Sequence, residues 1–248
     1  MPELAIIGGT GLTSLSGLEI ARREVVHTPF GEPSGPLTHG VLAGKEVIFL
    51  ARHGYGHTIP PHRINYRANI WALRETGVER VIAVAAVGGI HADAGPARIV
   101  IPDQIIDYTW SRGSTYFEEG LSEVTHIDFT MPYDAELRAL LIESCRRTKL
   151  DACETGTYGV TQGPRLETAA EIDRLEKDGC AIVGMTGMPE AALAREIGLR
   201  YATCAVVANW AAGRGGGGVI EMAEIENNLK TGMENVRRVL SDLVPALS

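Results

Sequence analysis

The 248-residue sequence has only four cysteines, Cys145, Cys153, Cys180 and Cys204, and no two of them form a Cys-x-x-Cys pair. That scatter offers neither a disulfide framework nor a thiolate zinc site, and it suits reduced thiols in a reducing compartment. Positive charge is also scarce: 23 Lys and Arg against 31 Asp and Glu leave a formal net charge of −8. Binding to nucleic acid or to an anionic membrane through bulk charge is therefore not expected, although a small anion can still be held in a local pocket. Long apolar runs are missing as well, none approaching the roughly 20 residues that span a bilayer. The opening Met1-Pro2-Glu3-Leu4 has neither the basic start nor the apolar stretch of a secretion signal, so a cytoplasmic location is expected. No fixed repeat, low-complexity tract or obvious linker divides the chain, and a single domain over residues 1–248 is expected.

What the chain does contain is a rhythm of short apolar runs separated by helical patterns. Residues 4–7 lead into Gly8-Gly9-Thr10-Gly11, 47–51 into Arg52-His53-Gly54, 81–87 into Gly88-Gly89, 181–183 into Gly184-Met185-Thr186, and 201–208 into Asn209. Runs of this length, ending in small or polar residues, are predicted strands of an α/β sheet. Helices are predicted over 63–76, 134–148, 168–177, 189–197 and 221–247. In the last of these, Met222, Ile225, Leu229, Met233, Val236 and Leu240 form one apolar face. Ligands in such sheets bind beyond the carboxyl ends of the strands, so the motifs are expected to converge. Between Asn209 and the last helix, Arg214 and four successive glycines, Gly215 to Gly218, read as a flexible loop placed to act as a lid.

Gly8-Gly9-Thr10-Gly11 can present N–H groups and a hydroxyl to an anion, or can serve simply as a tight turn. As a dinucleotide-binding turn it matches poorly, because Gly9-x-Gly11-x-x-Ser14 ends in serine and no continuous helical pattern follows. Arg52-His53-Gly54 offers a fixed cation and a second donor, which suits a phosphate oxyanion. His53, His57 and His62 have a spacing that invites a metal. Pro60-Pro61 breaks any helix there and no cysteine is near, so no metal is expected, and His57 and His62 read as structural histidines. Thr186 is either a phosphate hydroxyl or a helix cap. Asn209, at the end of an apolar run, is either a turn residue or a group that both donates to and accepts from a ligand.

Taken in order, Gly8-Gly9-Thr10-Gly11, Thr28-Pro29-Phe30-Gly31, Ala51-Arg52-His53-Gly54, Asn65-Tyr66-Arg67-Ala68-Asn69-Ile70-Trp71-Ala72-Leu73, Gln162-Gly163-Pro164-Arg165 and Met185-Thr186-Gly187-Met188-Pro189-Glu190 span nearly the whole chain. The series resembles the trimeric purine nucleoside phosphorylases, most closely their methylthioadenosine phosphorylase branch. The resemblance implies an α/β fold, a twisted mixed β-sheet flanked by helices, and a homotrimer with sites near subunit interfaces. It also implies cleavage of an N-glycosidic bond by inorganic phosphate, with no metal or organic cofactor. Thr10, Arg52, His53 and Thr186 would hold phosphate, joined by Ala85 and Ala86 where the family uses backbone groups. Met185 would lie against the sugar and Leu166, where that branch has phenylalanine, against the base. Met222 and Ile225 would surround a 5′-methylthio group, and His126 would close the site of a neighbouring subunit.

The base-recognition segment departs from that branch, which carries Ser/Thr-Asp-x-Asp where this chain has Ala208-Asn209-Trp210-Ala211. A carboxamide can donate to a 6-oxygen and accept from a protonated ring position 7. The 6-oxopurine phosphorylases are similar in using asparagine here. Mismatched groups would stay buried and unpaired, so a site built for one base can reject the other. The expected reaction is phosphorolysis of S-methyl-5′-thioinosine to hypoxanthine and 5-methylthioribose 1-phosphate, with Asn209 as the catalytic residue at the leaving base. Phosphorolysis of methylthioadenosine, and then of inosine or guanosine, are the alternatives within the family. A nucleotide-binding oxidoreductase and a non-enzymatic purine sensor are those outside it.

Overall fold

Apolar runs whose side chains alternate between two covered faces set the centre of the fold. The computed structural model describes residues 2–247. Its strands are β1 (Leu4–Gly8), β2 (Glu19–Glu24), β3 (Leu37–Leu42), β4 (Lys45–Ala51), β5 (Arg80–Gly89), β6 (Ile99–Val100), β7 (Gln104–Asp107), β8 (Ala152–Cys153), β9 (Thr157–Val160), β10 (Cys180–Gly184) and β11 (Arg200–Trp210). The helices are α1 (Tyr66–Glu75), α2 (Ala135–Arg147), α3 (Ala169–Lys177), α4 (Gly187–Glu196) and α5 (Met222–Leu243). All eleven strands join one mixed sheet.

The five strand-like runs appear as β1, β4, β5, β10 and β11, and the five helical patterns as α1 to α5. Two helix ends differ from the pattern. Pro60 and Pro61 divert the chain into a 3-10 turn, and α1 begins only at Tyr66, where the Asn65 side chain accepts from the Ala68 N–H. At the other end α5 stops at Leu243, and a second 3-10 turn takes in Pro245. β2 is almost wholly exposed and β6 and β8 have two residues each, so none of the three is long and apolar enough to show as a strand in sequence.

Along β1, Ala5 and Ile7 face a core shared with Ile70 and Leu73 of α1 and Leu193 of α4. Leu4 and Ile6 face the opposite core, with Leu137 and Leu141 of α2 and Val236 and Leu240 of α5. Helices on both faces explain why β1 is buried at every position.

Strands β4, β1, β5 and β11 are mutually parallel, so their carboxyl ends lie along one edge. β10 meets that edge antiparallel to β5, pairing Val183 with Gly88, the same residue that pairs with Asn209 of β11. The sheet therefore forks at Gly88. A Cβ there would come within 3.2 Å of Val183 and 3.4 Å of Ala211, so a side chain would wedge the fork apart.

Candidate active site

The fork opens into a cavity of about 390 Å³ lined by the ends of β1, β4, β5, β10 and β11. Thr10, Arg52, His53, Ala85, Ala86, Leu166, Met185, Thr186, Asn209, Ala211 and Ile225 all contribute to its wall. Thirteen positions were singled out from sequence besides Asn209; three of them lie elsewhere in the single chain. Trp210 packs its indole against Gly95 and Gly215, because strand alternation turns it away from the face that Asn209 occupies. Met222, the first residue of α5, is 64% exposed and is not part of the wall, to which Ile220 and Leu229 contribute. His126 is exposed in the segment between β7 and α2 and does not reach the cavity of its own chain.

Arg52 follows β4 and its backbone N–H donates to the Gly8 carbonyl, tying the ends of β4 and β1 together. The glycine at position 9 makes room for its guanidinium, since a Cβ there would lie 2.9 Å from Nη1 and 2.6 Å from the Val84 carbonyl oxygen. Nη1 donates to that carbonyl at 2.9 Å, while Nε and Nη2 donate to the two carboxylate oxygens of Glu190 at 2.7 and 2.8 Å. Tyr201 also donates to Glu190. Burial opposes the charge on Arg52, but Glu190 outweighs it and raises the guanidinium pKa above its ordinary value. The arginine read from sequence as a fixed cation is thus a cation, its charge offset by the Glu190 carboxylate, and it offers an anion the N–H groups its partners leave free.

The reading of His53 as a second donor needs a correction. Its Nδ1 lies 2.8 Å from the Ile59 carbonyl, which can only accept, so Nδ1 carries the hydrogen. Burial first, and then the charge of Arg52, push its pKa down to about 4. Near neutral pH Nε2 therefore holds a lone pair, and it can donate to an anion only after gaining a proton.

His57, read as structural, lines the cavity, with its Nε2 3.1 Å from the Thr10 hydroxyl and its ring 4.8 Å from that of His53. Its backbone sits in the left-handed region at φ 50°, which no local pattern announces. Thr186 is buried and its side chain makes no cap bond to α4, so its hydroxyl is not used as a cap.

Asn209 is not a turn residue. It lies within β11, next to a register irregularity between Val207 and Asn209. Ala208 is the extra residue, and its carbonyl accepts from the Asn228 amide of α5 at 2.9 Å. The bulge interrupts the alternation of β11 beside the cavity, which Ala208 and Asn209 both line. Asn209 Nδ2 donates to the Trp210 carbonyl at 2.7 Å. That bond fixes the amide orientation and leaves Oδ1 and one N–H available.

Glu167, which the sequence reading passed over, lines the same cavity and accepts from the Thr161 hydroxyl at 2.5 Å. A signal was present. The capping box of α3 uses Thr168 and Glu171, leaving Glu167 as an acidic residue with no capping role. Among the described residues, no group of three His, Cys, Asp or Glu side chains is placed to hold a metal ion. No helix among them is long and apolar enough to cross a membrane.

Residues 3–245 match the model of the phosphorylase superfamily. A probable S-methyl-5′-thioinosine phosphorylase of Xylella fastidiosa is 55% identical over 238 residues, 96% of each chain. A 6-oxopurine nucleoside phosphorylase of Pyrococcus furiosus is 48% identical, covering 97% of this chain and 92% of its own. The solved methylthioadenosine phosphorylase of Schistosoma mansoni in complex with adenine superimposes with a TM-score of 0.93 at 30% identity, over all of this chain and 93% of that one.

Proposed function

Because the chain belongs to the phosphorylase superfamily, we propose that it cleaves S-methyl-5′-thioinosine with inorganic phosphate, giving hypoxanthine and 5-methylthioribose 1-phosphate. Relatives of matching length carry that activity in their names. The observation that carries the choice of base is the joint presence of Asn209 and Glu167 in one cavity wall. A 6-oxopurine presents an acceptor at O6 and a donor at N1–H, whereas a 6-aminopurine presents a donor at position 6 and a lone pair at N1. The free N–H of Asn209 suits O6 and the Glu167 carboxylate suits N1–H. Adenine would set its N1 lone pair against a carboxylate.

In this reading phosphate attacks C1′ as the bond from C1′ to N9 breaks, through an oxocarbenium-like transition state related to glycoside hydrolysis. The electron pair passes into the purine, which takes a proton from solvent at N7, and Asn209 Oδ1 accepts from that N7–H. Thr10, Thr186, Arg52, His53 and the backbone of Ala85 and Ala86 orient the phosphate and set its charge beside the developing cation. Met185 contacts the ribose. No side-chain nucleophile, metal or organic cofactor takes part. Ile220, Ile225 and Leu229 give the wall an apolar region that favours a 5′-methylthio group over a hydroxyl left without a partner.

The whole chain acts as one phosphorylase domain, in the cytoplasm, as a homotrimer. Exposed Trp110, Leu121, Val124 and Met131 between β7 and α2 support such an assembly, and His126 in the same segment would close a neighbour's site. The decisive experiment follows base release from methylthioinosine, methylthioadenosine and inosine with and without phosphate. Hypoxanthine release independent of phosphate, or a clear preference for methylthioadenosine, would defeat the proposal.

A further inference from the structure

Arg112 lies in the loop after β7 and is not part of the cavity wall, yet its guanidinium holds together segments that are. Nε donates to the side-chain oxygen of Gln162 at 3.1 Å. Nη2 donates to the carbonyls of Gln162 at 2.8 Å and Thr161 at 3.3 Å. Nη1 donates to the carbonyls of Met188 at 2.7 Å and Met185 at 2.9 Å, and to the Tyr66 hydroxyl at 3.2 Å. That hydroxyl in turn donates to the carbonyl of Pro61, another wall residue. The guanidinium also stacks over the Tyr66 ring at 5.3 Å.

Arginine has five N–H groups in a rigid fork. Six acceptors surround this one, so none of its hydrogens is left over for a ligand. None of the six is a carboxylate, so the group is not half of an ion pair. What the fork does is join two loops. One follows β9 and leads to Leu166 and Glu167; the other follows β10 and carries Met185 and Thr186. Without the fork, those carbonyls converge on one point with no donor between them, and mutual repulsion would spread the loops.

We infer that Arg112 is a positioning residue that sets the separation between the base-facing loop and the loop facing sugar and phosphate. The inference rests on reading the cavity as a nucleoside site. Both halves of a nucleoside must be held at once for the phosphate to meet C1′ in line, and a displacement of about 1 Å can cost a hundredfold in rate. Lysine keeps the charge but presents a compact ammonium with three hydrogens, which cannot reach acceptors spread over three segments.

The test compares wild type with Arg112→Lys and Arg112→Ala by melting temperature, kcat, and separate KM values for methylthioinosine and phosphate. Both variants are expected to lose about a hundredfold in kcat/KM for the nucleoside, with lysine no better than alanine. Added guanidinium ion, below denaturing concentrations, is expected to restore part of the activity to the alanine variant and none to the lysine variant. Wild-type kinetics with lysine would overturn the inference, as would activity losses wholly accounted for by unfolded protein with both KM values unchanged. Should both variants fail to fold, Gln162→Leu carries the test: it removes the Nε acceptor and is expected to raise the nucleoside KM, and an unchanged KM would overturn the inference. A wild-type enzyme that does not turn over methylthioinosine tells against the proposed function instead, and the same comparison is then made on the purine nucleoside it does cleave.

Discussion

The carboxylate of Glu190 grips the guanidinium of Arg52 from two sides, at 2.7 Å from Nε and 2.8 Å from Nη2, with the two side chains 0% and 1% exposed. The pair has no net charge, so Arg52 acts on an anion through the direction of its remaining N–H groups. Breaking such a pair leaves a buried charge without a partner. Glu190→Gln, which keeps the shape but not the charge, is expected to destabilise the fold by about 3 kcal/mol and to raise the phosphate KM. Denaturant titration and phosphate kinetics check it, and no change in either would contradict the role given to the pair.

His53 predicts a pH dependence of definite sign. Its pKa is held down to about 4, from an ordinary 6.5, by burial and then by Arg52. Above the ordinary value the imidazole is neutral in folded and unfolded chains alike, and its contribution to stability is complete. As pH falls from 6.5 to about 4 the unfolded chain takes up the proton first, so stability is lost across that window. At about 1.4 kcal/mol per unit the loss is of the order of 3 kcal/mol. His53→Gln is expected to flatten the stability curve between those limits. An equally steep curve in the variant would assign the slope to other groups.

Asn209→Asp exchanges the N–H meant for O6 for a second acceptor. The ratio of kcat/KM for 6-oxo over 6-amino nucleosides is expected to fall by about ten- to a hundredfold, the effect of one buried group left unpaired. Glu167→Gln is expected to shift the ratio in the same direction, because an amide can turn its N–H toward the N1 lone pair of adenine. Relative rates that stay constant in both variants would count against direct recognition of the base.

Asn228→Ala removes the donor that holds the bulge carbonyl of Ala208. A single neutral hydrogen bond contributes about 1 kcal/mol, so the fold should survive with a small drop in melting temperature. Base selectivity is expected to fall more than stability does, since the bulge aims Asn209. Selectivity equal to that of wild type would show that the strand holds its bulge unaided.

The order of strands and helices was legible because apolar spacing is a local property. β1, β4, β5, β10 and β11 and all five helices could be read from it. β2, β3 and β6 to β9 could not, being short, exposed or mixed in pattern, and held in place by partners distant in sequence. Thr10, Arg52, Met185, Thr186 and Asn209 were legible as site residues because each stands at the end of such a run, where strand ends collect ligands.

By itself, then, the sequence determined which residue types stand at the edge of the sheet, and through a carboxamide in place of aspartates it pointed to a 6-oxopurine. Only the tertiary structure decided how those residues are charged and aimed. Glu190 reaches Arg52 across 138 residues, a bulge defined against β5 interrupts the alternation of β11 beside Asn209, and the fork of Arg112 gathers carbonyls from two loops. Charge state, register and loop spacing depend on groups brought together by folding, and local pattern carries no record of them.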